Sequence, residues 1–423
     1  MKVFFRTYGC STNFSETEIM KALLEKADFE IVDNEEEAYV AVVSICTVKT
    51  DTVALKEIKR IRDRHPHKKI VVAGCIPKYL IKKIREIAPD ASLINTHNIR
   101  EIVTVVEEAV NDNAVEALAH TPDFKINLPK IRKSRVIGIV PVSNSCVGEC
   151  SYCSVREIKG KFQSYYTESI LVEIRKCLKE GCREIWITAQ DTGCYGADIG
   201  TNLTELLKQV VNLDGNFMVR LGMANPDHVK GMLDDLTEIY KNKKMFKFLH
   251  IPVQSGNNEI LKLMKRKYSV EDFKEIVSRF REEIPEITIS TDIICGFPTE
   301  TKEQFYQSKG LIDEIKPDVL NISRFRARPG TKAAKMEQLP GGETKNRSRY
   351  LTSVFEWIAY EQNKKWRGWE GDVLVDEMGK NSTFIGRNYC YKPVVLKENL
   401  NLGDIVRVRI ADITKHDLRG EVI

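Results

Sequence analysis

The sequence predicts an α/β protein in three parts. These are an N-terminal parallel α/β sheet domain (residues 1–119), a central partial (β/α)6 barrel (136–365) and a small antiparallel β-barrel (366–423), with a linker over 120–135. Strand-like and helix-like patterns alternate through the first part, and the same alternation repeats six times through the second. After Trp366 the pattern changes to short alternating segments separated by Gly and Asn. A chain of 423 residues is too long for one ordinary core, so two or three domains are expected.

In the first part, Lys2–Thr7 reads as a strand and Ser15–Lys26 as an amphipathic helix, with Ser15 as cap and Glu18 at N3. Ala38–Ile45 and Lys69–Ala73 are further strands, and Thr52–Arg64 and Pro77–Ile87 further helices. His120–Arg135 is polar and basic, with Pro122 and Pro129, and reads as a linker. Barrel strands are expected at Val136–Val142, Glu184–Ala189, Phe217–Gly222, Phe246–Val253, Thr288–Ile294 and Val319–Phe325. Helical patterns such as Thr167–Glu180 and Val270–Glu282 lie between them, and a last helix, Lys345–Lys365, closes the unit. The active site of such a barrel sits at the C-terminal ends of its strands. Asp372–Val375, Thr383–Arg387, Lys392–Leu396 and Ile405–Ile413 are the strands expected of the last part.

The apolar stretches are strand-length, too short to span a bilayer, and Met1 leads directly into a strand without a signal-like segment. A cytoplasmic protein with no membrane partner is therefore expected. The 65 basic and 60 acidic side chains leave a formal charge of +5, so any basic surface for nucleic acid must be local. Eleven cysteines in such a protein point to metal or redox chemistry rather than disulfides.

Cys146, Cys150 and Cys153 form C-x3-C-x2-C in SCVGECSYCSV, just after the first barrel strand. Three thiolates on one loop suit three irons of a four-iron cluster and leave the fourth iron open to a ligand. A structural zinc site wants four closed ligands, usually as two separated pairs, and no partner pair follows here. Cys10, Cys46 and Cys75 end the segments FFRTYGC, VVSIC and VVAGC, each just past a predicted strand. In a parallel sheet these ends share one edge, so the three thiols converge and a second three-cysteine cluster is expected. Gly9 and Gly74 allow the close approach.

C-x3-C-x2-C with Tyr152 before the last cysteine resembles the radical-SAM signature. With the N-terminal three-cysteine domain and the small C-terminal β domain, essentially the whole chain resembles the radical-SAM methylthiotransferases. TYGCSTN, ICTVK, AGCIP, LPKIRK, QDTGCYGADIGTNL, RLGMANP, FLHIPVQS, DIICGFP and RPGTKAAKMEQ look like the archaeal and eukaryotic branch acting on N6-threonylcarbamoyladenosine in tRNA. The C-terminal part looks like a TRAM domain. The resemblance implies two [4Fe-4S] clusters and S-adenosylmethionine as cofactors. The open iron would chelate the methionyl group, and one electron would cleave it to a 5′-deoxyadenosyl radical. That radical would remove hydrogen from C2 of the adenine, and methylated sulfur from the first cluster would be inserted. An external electron donor and a sulfur source are expected as partners beside tRNA. Where relatives carry Arg-Gly after the last cysteine, this chain has Lys159-Gly160, which keeps the charge but loses the planar fork.

Gln190, Asp191, Arg220, Gln254, Ser255 and Asp292 fall at or near the predicted barrel mouth. With Tyr152, they are candidates for cofactor or substrate contact, and a purely structural hydrogen-bonding role competes for each. Arg324, Arg326 and Arg328 share a face if the sixth strand persists, and Arg407 and Arg409 form a similar pair opposite Val406, Val408 and Ile410. These, and the linker cations Lys125, Lys130, Arg132, Lys133 and Arg135, are candidate phosphate contacts or solvated charges. Cys177, Cys182, Cys194, Cys295 and Cys390 read as structural thiols, and His250 as an ordered core or rim histidine. Three competing functions remain. These are methylthiolation of a ribosomal protein side chain, methylthiolation of isopentenyladenosine in tRNA, and a non-catalytic iron–sulfur protein that binds RNA.

Overall fold

A computed structural model describes residues 1–46, 51–120 and 123–423. Thr47, Val48 and Lys49 of ICTVK, and Thr121 and Pro122 of the linker, lie outside them. The chain forms two compact units. The first comprises Met1–Lys133, Ile139–Cys146 and Ser154–Glu173, and the second Ser134–Gly138, Val147–Cys153 and Ile174–Ile423.

The first unit runs β1 (Lys2–Thr7), α1 (Ser11–Lys26), β2 (Glu30–Val32), β3 (Val40–Ile45), α2 (Asp51–Arg64), β4 (Lys69–Gly74), α3 (Lys78–Ile87), β5 (Ser92–Asn95), α4 (Ile102–Val110) and β6 (Glu116–Ala117). The six strands make one sheet in the order β2-β1-β3-β4-β5-β6, parallel throughout. Val40–Ile45 and Ser92–Asn95 are buried along their whole length, as a strand covered on both faces requires. α2 and α3 pack on one face with Ala54, Ile58, Leu80 and Ile84, and α1 and α4 on the other with Ile19, Leu24, Val105 and Val106. Helix α1 starts four residues before the position expected. Cys10 is its N-cap, in an extended conformation, and Ser15 is a buried interior residue rather than a cap. Glu18 accepts from the Lys133 amide (3.0 Å) instead of closing a capping box.

β7 (Ile137–Pro141) opens the barrel, and β8 (Ser143–Asn144) pairs with β9 (Gln163–Ser164) around α5 (Val155–Lys159) in the first unit. Helix α6 (Thr167–Lys179) then leads to β10 (Glu184–Thr188), α7 (Leu203–Val211), β11 (Met218–Leu221), α8 (Pro226–Lys230), α9 (Leu233–Lys241) and β12 (Phe248–His250). The series continues through α10 (Asn258–Leu263), α11 (Val270–Glu283), β13 (Thr288–Cys295), α12 (Lys302–Ile315), β14 (Val319–Arg324) and α13 (Gly341–Lys364). Val136 accepts from the amides of Arg183 and Glu184, and β10 pairs in parallel with β11. A parallel bridge from Val219 to Met245 carries the order on to β12-β13-β14. The strands thus follow one another in sequence order, as an open parallel barrel requires. β14 stops at Arg324, so Arg326 and Arg328 do not continue its face and lie in the loop beyond.

The last five strands are β15 (Glu370–Met378), β16 (Phe384–Arg387), β17 (Pro393–Leu396), β18 (Ile405–Ile413) and β19 (Leu418–Val422). They close a barrel in the order β15-β16-β17-β19-β18. Closure uses one parallel pairing, Val394 with Leu418, among otherwise antiparallel neighbours. Trp366, Val373, Val394, Val408 and Ile410 fill its core. The barrel is pinned to the rest of the second unit by Lys392 on Asp318 (2.8 Å), Tyr391 on Glu184 (2.9 Å) and the Lys247 amide on the Tyr389 carbonyl (2.8 Å). Among the described residues, no helix is long and apolar enough to cross a membrane.

Candidate iron–sulfur sites

Cys10, Cys46 and Cys75 follow β1, β3 and β4, three adjacent strands of one parallel sheet, so their backbones emerge on the same edge. Cys46 lies in hydrogen-bonding contact with both Cys10 and Cys75. Gly9, at φ +139°, permits this, because a Cβ there would fall 2.6 Å from the Cβ of Cys46 and 2.7 Å from Oδ1 of Asn13. Asn13, fully buried on α1, ties the loops together. Its Oδ1 accepts from the Cys10 thiol (3.3 Å) and its Nδ2 donates to the Ile45 carbonyl (3.1 Å). Cys46 and Cys75 are buried and Cys10 remains exposed. The hydrogen bond to Cys46 is the main reason that the Cys10 thiol is lowered to about 5 and that of Cys75 is lowered too. Burial opposes both shifts and the charge of Lys159 assists them, while Cys46 is raised in exchange. Thiols poised as thiolates are what a metal cluster requires.

Beneath this edge lies a buried charge cluster. Glu16 accepts from Lys125 (2.6 Å), Lys159 (3.1 Å) and the Thr96 hydroxyl, and Thr96 also contacts both lysines. Burial is the largest influence on Glu16 and pushes its carboxyl up, but the two ammoniums outweigh it and hold it at about 2. The unusual Lys159 therefore has a definite place: the residue is 3% exposed, and against burial Glu16, then Cys75 and Cys10, keep its ammonium charged. Three of the linker cations, Lys125, Lys130 and Arg132, are likewise not solvated. Lys130 (2.8 Å) and Arg132 (3.5 Å) pair with the fully buried Glu173, and Lys133 stacks on Phe14. The segment packs back on the first unit, which removes Lys125, Lys130 and Arg132 from any RNA-contacting role. Lys133 and Arg135 remain exposed.

Of the second group, Cys146 ends a segment of the first unit, and Cys150 and Cys153 lie on the Val147–Cys153 segment of the second. That segment is fastened at Ser151. Its amide donates to the Met264 carbonyl (3.0 Å), its hydroxyl to Leu263 (2.8 Å), and its carbonyl accepts from Ala333 (2.8 Å). Arg266 donates to the Cys150 sulfur at 3.2 Å. Tyr152 packs edge-on against Phe297, with centroids 6.3 Å apart, in a small cluster with Ile260 and Met264.

The remaining candidates divide by how fully their polar atoms are engaged. Asp191 is fully buried, accepts from the amides of Gly193 (3.0 Å) and Asn225 (3.1 Å) and from the Asn225 side chain, and lies 3.6 Å from His228. It clamps two strand-end loops together. Ser255 is buried and shares Ser308 with the Gly256 amide, so it fastens its loop to α12. Asp292 joins His250 (3.1 Å) and Asn321 (2.7 Å) across β12, β13 and β14. Gln254 adopts φ +71° while its backbone bridges to Asp292 and Ile294. In contrast, Gln190 Oε1 and Arg220 Nε are buried without a hydrogen-bond partner, at the end of β10 and on β11. The Arg220 guanidinium lies 5.1 Å from the rings of Trp186 and Phe248 and 5.4 Å from that of Tyr391. Buried polar atoms left unpaired at strand ends fit a polar ligand such as S-adenosylmethionine. The converging cysteines, two of them shifted toward the thiolate, likewise fit an iron–sulfur cluster.

Sequence reasoning missed Asn13, Glu16, Thr96 and Arg266. Asn13 and Glu16 follow Cys10 at steps of three, a helical spacing that places them on one face once the helix is known to start at Ser11. Thr96 and Arg266 carry no such signal.

Family models match three stretches of the chain: "Uncharacterized protein family UPF0004" over residues 2–95, the radical SAM superfamily over 140–312 and the TRAM domain over 364–423. A radical S-adenosylmethionine methyltransferase, TsrM from Kitasatospora setae, has the same fold at a TM-score of 0.56 and 14% identity, over 79% of this chain and 77% of that one. The chain is 41% identical to the probable threonylcarbamoyladenosine tRNA methylthiotransferase of Pyrococcus horikoshii, over 100% of both. It is 36% identical to the threonylcarbamoyladenosine tRNA methylthiotransferase of Homo sapiens, over 100% of this chain and 74% of that one. Three matched domains in one chain, and full-length identity to relatives in archaea and animals, make this protein a member of the threonylcarbamoyladenosine tRNA methylthiotransferase family, whose chemistry uses S-adenosylmethionine and iron–sulfur clusters.

Proposed function

We propose that the protein converts N6-threonylcarbamoyladenosine in tRNA to its 2-methylthio derivative. Cys146, Cys150 and Cys153 hold the cluster that takes S-adenosylmethionine, and Cys10, Cys46 and Cys75 hold the second. The observation that carries this reading is the convergence of Cys10, Cys46 and Cys75 above a buried pair of lysines, since a radical-SAM barrel alone has no use for it. When bound, the clusters and S-adenosylmethionine supply one-electron cleavage, a methyl group and the inserted sulfur.

The chain's own residues do the rest. Asn13 holds the cysteine loops in register, and Lys159, which shares Glu16 with Lys125, offsets the negative charge of the thiolates. Gln190 and Arg220 offer unpaired polar atoms to S-adenosylmethionine. Asp191, Gln254, Ser255 and Asp292 shape the loops and strands around them, and Tyr152 keeps the cysteine loop packed. In the C-terminal barrel Arg407 is exposed on the face opposite Val408, available to an RNA phosphate, whereas Arg409 is already paired with Glu370 (2.6 Å). Electrons and sulfur come from external donors.

The test is anaerobic reconstitution with iron and sulfide. Incubation with S-adenosylmethionine, a reductant and tRNA bearing N6-threonylcarbamoyladenosine follows, with mass spectrometry of the nucleosides. The methylthio nucleoside is expected together with 5′-deoxyadenosine. 5′-Deoxyadenosine without the modified nucleoside would overturn the substrate assignment and direct the assay to a ribosomal protein.

A further inference from the structure

One cation outside the motifs touches the radical-SAM cysteine loop directly. Arg266 follows helix α10 in the second unit, and each nitrogen of its guanidinium except the one facing sulfur has an oxygen partner. Nε donates to the Tyr268 hydroxyl (2.8 Å), and Nη2 to the Asn225 side chain and the Pro252 carbonyl (3.3 Å). The planar group stacks 4.9 Å from the Tyr268 ring. Tyr268 is itself held through its hydroxyl on the carbonyls of Pro252 and Val253, both at 2.9 Å. Asn225 is held by the buried Asp191. A group so constrained has one direction left for Nη1, and there it meets Cys150 Sγ at 3.2 Å.

A hydrogen bond from a fixed cation to a thiolate does two things. It sets the orientation of the ligand before any metal arrives, as the outer partners of metal ligands do. It also withdraws negative charge from the sulfur, and hydrogen bonds to cluster sulfurs are among the levers that set an iron–sulfur potential. Lysine, a flexible point charge, cannot keep three such contacts in one plane.

We propose that Arg266 is a positioning residue for the radical-SAM cluster, fixing Cys150 and raising the cluster's reduction potential through its N–H···S hydrogen bond. This rests on the reading of Cys146, Cys150 and Cys153 as the cluster's ligands. Asp191, expected from the sequence to meet the cofactor, bears on this contact at one remove, by holding Asn225 and through it Arg266.

The experiment compares the full-length, fully reconstituted wild type with R266M and R266K. Iron and sulfide content, circular dichroism and a potentiometric titration followed by electron paramagnetic resonance are measured with and without S-adenosylmethionine. The cluster whose signal responds to S-adenosylmethionine is the one scored. Expected is a more negative midpoint for that cluster in R266M, a smaller shift in R266K, and no change in the second cluster. If R266M binds too little iron for a titration, loss confined to the responsive cluster with an unchanged fold supports the positioning role, and R266K supplies the midpoint. An unchanged midpoint in R266M, or loss of fold together with both clusters, overturns the proposal. A wild type with no responsive cluster would instead overturn the ligand reading beneath it.

Discussion

Cys10, Cys46 and Cys75 are brought together by the register of three parallel strands, whereas Cys146, Cys150 and Cys153 lie on one loop and need no sheet to be near one another. The difference extends to the charges behind them. The first group rests on a buried carboxylate shared by two buried lysines, drawn from residues 16, 125 and 159. In the second, Cys150 meets the half-buried Arg266. A site assembled by the fold carries its electrostatics inside the core, so damage there acts through stability. A site assembled by a loop can be damaged chemically while the core stands.

The largest expected effect separates the two groups by activity. Cys150→Ala abolishes cleavage of S-adenosylmethionine, whereas Cys46→Ala keeps some cleavage and stops methylthiolation, both read in one assay of 5′-deoxyadenosine and modified nucleoside. Equal loss of cleavage in both variants, with native circular dichroism, would erase the distinction. Next comes Glu16→Leu, which strands Lys125 and Lys159 in the core. Removing one partner from such a buried ion cluster costs about 3–5 kcal/mol. The melting temperature should fall steeply, with iron lost from the first site and retained in the second. A melt close to that of the wild type would show that water, not protein, neutralises the lysines.

The second unit holds a buried carboxylate of the opposite kind. Where two lysines hold Glu16 at about 2, burial and then Asp376 push Glu184 up to about 7 from an ordinary 4.5. Its protonated form favours the fold, so that contribution is fully present below about 4.5 and is lost as pH rises through about 7. Glu184→Gln keeps partners for Trp186 and Tyr391 but cannot ionise. Its melting temperature should pull ahead of the wild type as the pH is raised, by up to about 3 kcal/mol in stability. Parallel melting curves across that range would contradict the assignment. The smallest effect is kinetic. In cluster-free protein the exposed Cys10, lowered to about 5, should be alkylated at neutral pH. Cys295, buried and pushed up to about 12, should stay unlabelled until unfolding. Mass mapping of labelled peptides decides this, and labelling of both at one rate would refute it.

The meeting of Cys10, Cys46 and Cys75 at one sheet edge and the strand order of the barrel were legible because they rest on local signals, hydrophobic runs ended by Gly or Cys. The start of α1 was misplaced because a cysteine N-cap carries no capping signature, and that concealed Asn13 and Glu16 on the same face. Short strands such as Glu30–Val32, Ser92–Asn95 and Leu418–Val422 escaped notice, since so few residues show no clear period. The linker was misjudged for a different reason. A basic run looks alike whether its partners are water or buried glutamates, and Glu16 and Glu173 are distant in sequence from the lysines they receive. Arg266 was invisible on the same ground, its meaning lying wholly in what the fold sets beside it.

The buried lysines also bear on how such a chain can be dissected or recombined. A fragment stopping at Ala119 would keep Glu16 and Thr96 but forfeit Lys125 and Lys159. Extending it to Lys133 would restore Lys125 yet leave Lys130 and Arg132 without Glu173. The family match that ends at residue 95 is thus not a portable module. An exchange at any of these borders would part buried charges from their partners, so Met1–Lys133, Ile139–Cys146 and Ser154–Glu173 have to be inherited together.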